Sequence, residues 1–229
     1  MAKQLPTRPA SSTEIDSFLR KRNAISTVRE QQPRLLFCLD ATASRQPTWD
    51  RACHLQRDMF LAAHQGTTLS VQLCYYRGFN TFRSGPWTSD SQQLAAEMGR
   101  VYCEGGHTQI QRMLRHALAE HAKAPVKALV FIGDAMEENA DTLCQLAGEC
   151  GIRQLPLFIF QEGRLADAQQ CFRTMAKLSK GAWASFDQSS ADTLAALLGA
   201  VASYASGGVA ALERQGTQGA KLLLEQLKD

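Results

Sequence analysis

Apolar residues along this chain occur either in short continuous runs or at helical spacing, and the two patterns alternate. Residues 35–39, Leu-Leu-Phe-Cys-Leu, are apolar on both faces and end at Asp40, as a central parallel strand would. A helix is predicted over residues 49–64, where Trp49, Ala52, Cys53, Met59, Phe60 and Ala63 recur at helical spacing. Residues 69–75 alternate and predict a strand, and residues 79–88, with Gly85 and Pro86, predict a short edge strand. Residues 90–103 predict a helix, broken by Gly105-Gly106. Ile110, Met113, Leu114, Ala117 and Leu118 then form a strict helical stripe. A strand over 128–133 ends at Asp134, and Leu143, Leu146, Ala147 and Cys150 mark a helix that Gly151 stops. Residues 155–160 predict a strand, and Leu165, Ala168, Phe172 and Met175 mark another helix. A last strand covers 182–186, and helices begin near Ala191 and again at Val209.

About six strands alternating with helices predict an α/β fold with a doubly wound, mostly parallel sheet and helices on both faces. The 229 residues divide into an N-terminal arm (1–34), a main domain (35–205) and a C-terminal helical extension (206–229). Within the arm, Ile15, Phe18 and Leu19 predict a short helix, with Ser12 and Thr13 as capping candidates. Charge sharpens this division. The chain carries a net +3, but residues 1–34 alone carry +4, so the main body is slightly acidic. A surplus this small and spread out does not predict a nucleic-acid partner.

Residues 1–20 lack the apolar core of a secretory signal, and no run reaches the roughly 18 apolar residues of a membrane span. The Ala- and Leu-rich stretch 194–212 reads as an amphipathic helix. Seven cysteines with no CxxC pair predict reduced thiols in a cytoplasmic protein and no zinc site.

The candidate chemistry begins at the end of the first strand. Asp40-Ala41-Thr42-Ala43-Ser44 places a carboxylate and two hydroxyls at alternate positions, which point the same way in an extended segment. Asp134 ends a later strand in the same manner. In a sheet of order 3-2-1-4-5-6 these two strands are neighbours, and ligands bind in the crevice outside their carboxyl ends. Thr108, following the Gly105-Gly106 turn, reaches the same crevice. Asp40, Thr42, Ser44, Thr108 and Asp134 form an all-oxygen set suited to a hard divalent cation, chiefly Mg²⁺, with Mn²⁺ or Ca²⁺ as alternatives. Three of these five ligands are neutral, so the metal would keep positive character for a carboxylate supplied by a partner.

These residues resemble the metal-ion-dependent adhesion site of the von Willebrand factor A (VWA) domain, whose pattern is Asp-x-Ser-x-Ser followed by a distant Thr and a distant Asp. Asp40 and Ser44 match it directly, and Thr42 stands where the first Ser is usual. Thr108 fits the Thr after a Gly-Gly turn, with His107 inserted, and Asp134 fits the last Asp. The resemblance covers roughly residues 35–205. It implies a Rossmann-like fold with a short third strand at the edge. It also implies a non-enzymatic, metal-dependent module that binds a protein partner, as in bacterial intracellular members that work in assemblies beside AAA+ ATPases.

Other side chains have plainer readings. Glu137 and Glu138 suit the first turn of the helix that follows Asp134. His107 reads equally as a loop residue or a ligand contact, and Arg112, Arg115 and His116 as a solvated basic face. Cys53-His54 is not a catalytic pair, because helix neighbours point about 100° apart. Phe79, Phe82 and Trp87 lie in an irregular stretch as candidate exposed anchors. The alternative function is phosphoryl transfer or phosphatase-like chemistry at Asp40 with a divalent metal. Against it, Thr42 occupies the place of the second Asp such enzymes need, and there is no GxxxxGK[ST] loop or GxGxxG.

Overall fold

The computed structural model describes residues 32–45, 69–187 and 191–228. The predicted arm helix, the helix over 49–64 and the Cys53-His54 pair lie outside the described residues. Among the described residues six strands form one sheet: β1 (Arg34–Asp40), β2 (Ser70–Arg77), β3 (Thr81–Ser84), β4 (Ala128–Gly133), β5 (Leu157–Glu162) and β6 (Ala182–Phe186). Their order is β3-β2-β1-β4-β5-β6, and every pairing is parallel except that of the edge strand β3 with β2. Among the described residues the helices are α1 (Ser91–Met98), α2 (Ile110–Lys123), α3 (Ala140–Ile152), α4 (Ala166–Leu178), α5 (Ala191–Gln215) and α6 (Gln218–Leu227).

The two-faced apolar runs explain this layering. Leu35, Phe37 and Leu39 of β1 point into one core with Leu94 of α1, Leu197 and Val201 of α5, and Leu223 of α6. Leu36 and Cys38 point into a second core with Met113 and Leu114 of α2, Ala147 of α3 and Phe172 of α4. Alternate residues of one strand thus serve opposite faces, and both faces are covered by helices. Residues 206–229, read as an extension, contribute Leu212, Ala220 and Leu223 to the first core. From α6, Gln226 Oε1 accepts the N–H of Trp183 in β6 at 2.9 Å, and Gln226 Nε2 donates to the Trp183 carbonyl at 2.8 Å.

Two expectations change. The helix over 90–103 is shorter, because α1 is capped by Asp90 and ends at Gly99. The chain then turns at residues 99–100 and leaves the helix, and Glu104 pairs with Thr42. Gly151 lies inside α3, and the chain reverses instead at Gln154, at φ 61°. Gly151 is needed for close approach: a Cβ there would collide with the carbonyl oxygen of Leu178 at the end of α4. Gly151→Ala should therefore lower stability by about 1–3 kcal/mol in urea unfolding, although alanine is the better helix former. A gain in stability would show that the two helix ends are not in contact.

The stretch 194–212 is helical, as expected, within α5. By length and composition Asp192–Gln215 is long and apolar enough to cross a membrane. It packs instead as a core helix, with Leu194, Leu197, Ala200 and Val201 buried on the sheet, and Gly207 and Gly208 interrupt it with non-helical angles.

Candidate functional site

Asp40 is the last residue of β1, pairs in register with Tyr76 of β2 and is fully buried. The chain turns beyond it. Asp40 Oδ1 accepts the N–H of Thr42 at 2.8 Å and the Thr42 hydroxyl at 2.7 Å. Ser44 Oγ lies 3.1 Å from Thr42 Oγ1. The three oxygens converge as expected, but through a side-chain-closed turn and a 3₁₀ segment (Ala43–Arg45) rather than an extended strand. Burial increases inward from exposed Ser44 to nearly buried Thr42 to buried Asp40, so the cluster faces outward from the sheet's carboxyl edge.

Thr108 and Asp134 come from two further loops. Glu104 N donates to the Ala41 carbonyl at 3.0 Å, and His107 N donates to the Gly78 carbonyl at 3.3 Å. This lays the 104–108 loop across β1 and β2. A Cβ on Gly106 would overlap the backbone of Gly78, which is why the chain needs glycine there. Thr108 is buried just before α2, and its hydroxyl accepts the N–H of Glu137 at 2.9 Å and donates to Glu138 Oε2 at 2.6 Å. Asp134 follows β4 directly, and its Oδ1 is buried without a hydrogen-bond partner in the described structure.

The charges of these loops act on one another. Burial pushes the Asp40 carboxyl up from 3.8 to about 6, with the charge of Asp134 adding to the rise, while bonds from Thr42 and the charge of Arg45 oppose it. Tyr76 donates its hydroxyl to Asp40 Oδ2 at 2.9 Å. The tyrosine is held far above its ordinary value by burial and by the charges of Asp40, Glu138 and Asp134.

Two features were not legible in the residue pattern. Arg45, in a polar loop, is almost fully buried. Its Nε donates to Glu162 Oε2 at 2.9 Å, and its Nη1 to the Asp40 carbonyl at 2.8 Å. The only available signal was a basic residue directly after the hydroxyl cluster. Glu137 and Glu138 do sit at a helix N-terminus, but at that of α2. Glu137 Oε2 accepts the Thr108 N–H at 2.9 Å, and Glu138 Oε1 accepts the Gln111 N–H at 2.8 Å. The cap position of α2, Gln109, makes no side-chain cap bond, and these two carboxylates take over that task.

His107 is exposed, beside Glu137 at 3.3 Å and edge-on to Phe79 at 5.2 Å between ring centroids. Phe79 is 74% exposed, whereas Phe82 and Trp87 pack against the second core. His116 is no solvated residue: its Nε2 lies 2.9 Å from Gln72 Oε1. The six described cysteines are free thiols, four of them buried.

The residues present fit a hard divalent cation. Asp134 Oδ1 is a buried anionic oxygen with nothing to satisfy it, Asp40 is a second desolvated carboxylate, and the three hydroxyls retain acceptor lone pairs. No group of three or more His, Cys, Asp and Glu gathers at metal-binding distance among the described residues. A cation here would therefore rest on the two carboxylates together with neutral oxygens.

No family model matches the chain, and no curated protein matches it. Solved structures do match. The SpRpn10 VWA domain superposes with a TM-score of 0.54 at 11% identity, over 71% of this chain and 95% of that one. The manganese-loaded TRAP protein of Plasmodium vivax gives 0.53 at 17% identity, over 72% of each chain. An aerotolerance-related membrane protein from Bacteroides fragilis gives 0.52 at 13% identity, over 69% of this chain and 94% of that one.

Proposed function

We propose that this chain, which has the von Willebrand factor A fold, is a non-enzymatic module that binds a divalent cation and through it a carboxylate of a partner protein. The observation that carries this reading is the buried Asp134 Oδ1, without a hydrogen-bond partner among the described residues, on a carboxylate whose charge acts on Asp40. Leaving a buried carboxylate oxygen unsatisfied costs about 1–3 kcal/mol or more, and a cation would offset that cost. Asp40, Thr42, Ser44, Thr108 and Asp134 would hold it, and oxygen-only donors favour Mg²⁺, with Mn²⁺ or Ca²⁺ next. When bound, the ion supplies a Lewis-acidic contact for a carboxylate. The match to manganese-loaded TRAP supports the same fold carrying a metal elsewhere.

The chain's own residues argue for binding rather than phosphoryl transfer. Asp40 is fully buried beneath Thr42 and Ser44, where a phosphoryl group, far larger than a metal ion, has no line of approach to its carboxylate. Exposed Phe79 and His107 border the crevice and offer the partner an aromatic contact beside the metal. We place the module in a cytoplasmic multiprotein assembly, with an AAA+ ATPase as the first partner to test; the resemblance of the site residues supports this.

The test is capture of partners by immobilised wild-type chain in Mg²⁺ and in EDTA, with Asp134→Ala as control and mass spectrometry as readout. A protein retained only by wild type in Mg²⁺ is the expected result. Retention that ignores both EDTA and Asp134→Ala would overturn the metal-dependent reading. Hydrolysis of acetyl phosphate that is lost in Asp40→Asn would favour the enzyme instead.

A further inference from the structure

Whether Thr108 can act as a ligand at all depends on where its hydroxyl hydrogen points, an inference that rests on the metal-centre reading above. A threonine hydroxyl has one hydrogen and two acceptor lone pairs. One lone pair of Thr108 Oγ1 takes the Glu137 N–H at 2.9 Å. The hydrogen goes to Glu138 Oε2 at 2.6 Å, a length typical of an O–H donor on a carboxylate. One lone pair remains. Glu138 is itself held, because its other oxygen accepts the Gln111 N–H at 2.8 Å in the first turn of α2.

We propose that Glu138 is a positioning residue of the metal centre, drawing the Thr108 hydroxyl hydrogen aside so that the oxygen presents its free lone pair to a divalent cation. A hydroxyl hydrogen aimed at the cation would be repelled by it. The direction of this one hydrogen bond therefore decides whether Thr108 is a ligand. Partners of this kind around metal ligands affect affinity by about 10–100-fold when changed.

Two substitutions separate this role from charge and from helix capping. Both Glu138→Gln and Glu138→Ala remove the negative charge. In Glu138→Gln the Gln111 N–H demands the amide oxygen, which turns the amide NH₂ toward Thr108. The Thr108 oxygen then accepts two donors, and its hydrogen is forced toward the crevice. In Glu138→Ala water can take the hydrogen, and the lone pair is kept. Mn²⁺ binding, followed by the spin-resonance signal of the free ion, should weaken about 100-fold in Glu138→Gln and about 10-fold in Glu138→Ala. Melting temperature in EDTA should run the other way, since Glu138→Gln keeps the cap on α2. Glu138→Gln should have no further effect on Mn²⁺ affinity in a Thr108→Val background.

Equal losses in the two variants would mean that only charge matters, and a larger loss in Glu138→Ala would mean that only the cap matters. Either result overturns the proposal. A wild-type chain that binds no Mn²⁺ overturns the metal centre itself, whereas wild-type binding with an unaltered Glu138→Gln overturns only the role of Glu138.

Discussion

Saturating Mg²⁺ should raise the melting temperature of the wild-type chain by about 5–10 °C, and Asp40→Asn should abolish that rise while making the metal-free chain more stable. The first figure follows from linkage. A ligand at 100 times its dissociation constant adds about 2.7 kcal/mol, and each kcal/mol moves a chain of this size by about 2–4 °C. The second follows from the cost of holding Asp40 charged. Burial, reinforced by the charge of Asp134, lifts its carboxyl from 3.8 to about 6. That lift corresponds to about 3 kcal/mol of destabilisation once the group is ionised. An asparagine oxygen still accepts from Thr42, and its NH₂ can donate to the Tyr76 hydroxyl once that hydroxyl rotates away. The sign with pH is definite. The folded chain binds a proton on Asp40 between pH 6 and 4 that the unfolded chain releases. Metal-free stability therefore rises as pH falls through that window, and the penalty is complete above about pH 6. Urea unfolding in EDTA at pH 7.5 and 5 should show this slope in wild type and a weaker one in Asp40→Asn. Identical melting of wild type with and without Mg²⁺ would remove the metal centre from consideration.

Arg45→Ala should cost about 3–5 kcal/mol, the largest loss expected of any single change near the site. The guanidinium joins three strand ends, through the carbonyls of Asp40 in β1 and Ile132 in β4 and the carboxylate of Glu162 in β5. Its removal leaves Glu162 buried and charged, with its side chain only 11% exposed. It also strips a donor from the Asp40 carbonyl beneath the hydroxyl cluster. Replacing both partners, as in Arg45→Met with Glu162→Met, should recover much of the loss, because apolar groups of similar volume replace a buried ion pair at little net cost. Urea unfolding of the two single variants and the double variant measures this directly. A loss below about 1 kcal/mol for Arg45→Ala would mean that the ion pair does not brace the sheet.

The sheet order was legible because strands alternating with helices imply a doubly wound sheet, and because Asp40 and Asp134 stand at the carboxyl ends of two strands that such a sheet makes neighbours. The Asp40-Thr42-Ser44 cluster was legible because its bonds span only two residues each. What escaped reading is long in sequence separation. Thr108 meets Glu138 across 30 residues, and Arg45 meets Glu162 across 117. A polar residue in a loop looks the same whether it faces water or a distant carboxylate. Gly151 escaped for a related reason: a glycine late in a helix suggests a stop, and only the fold brings the Leu178 carbonyl against it.

Gln226 gives the C-terminal helix a role that residue burial alone does not express. β6 ends the sheet, and an end strand exposes backbone groups to which another chain can add. One side-chain amide from α6 both donates to and accepts from the backbone of Trp183, occupying the positions a seventh strand would use. Residues 218–227 thus act as a counterfeit strand as well as a core helix. A chain cut before Gln218 would lose packing and also open a template for self-association along β6.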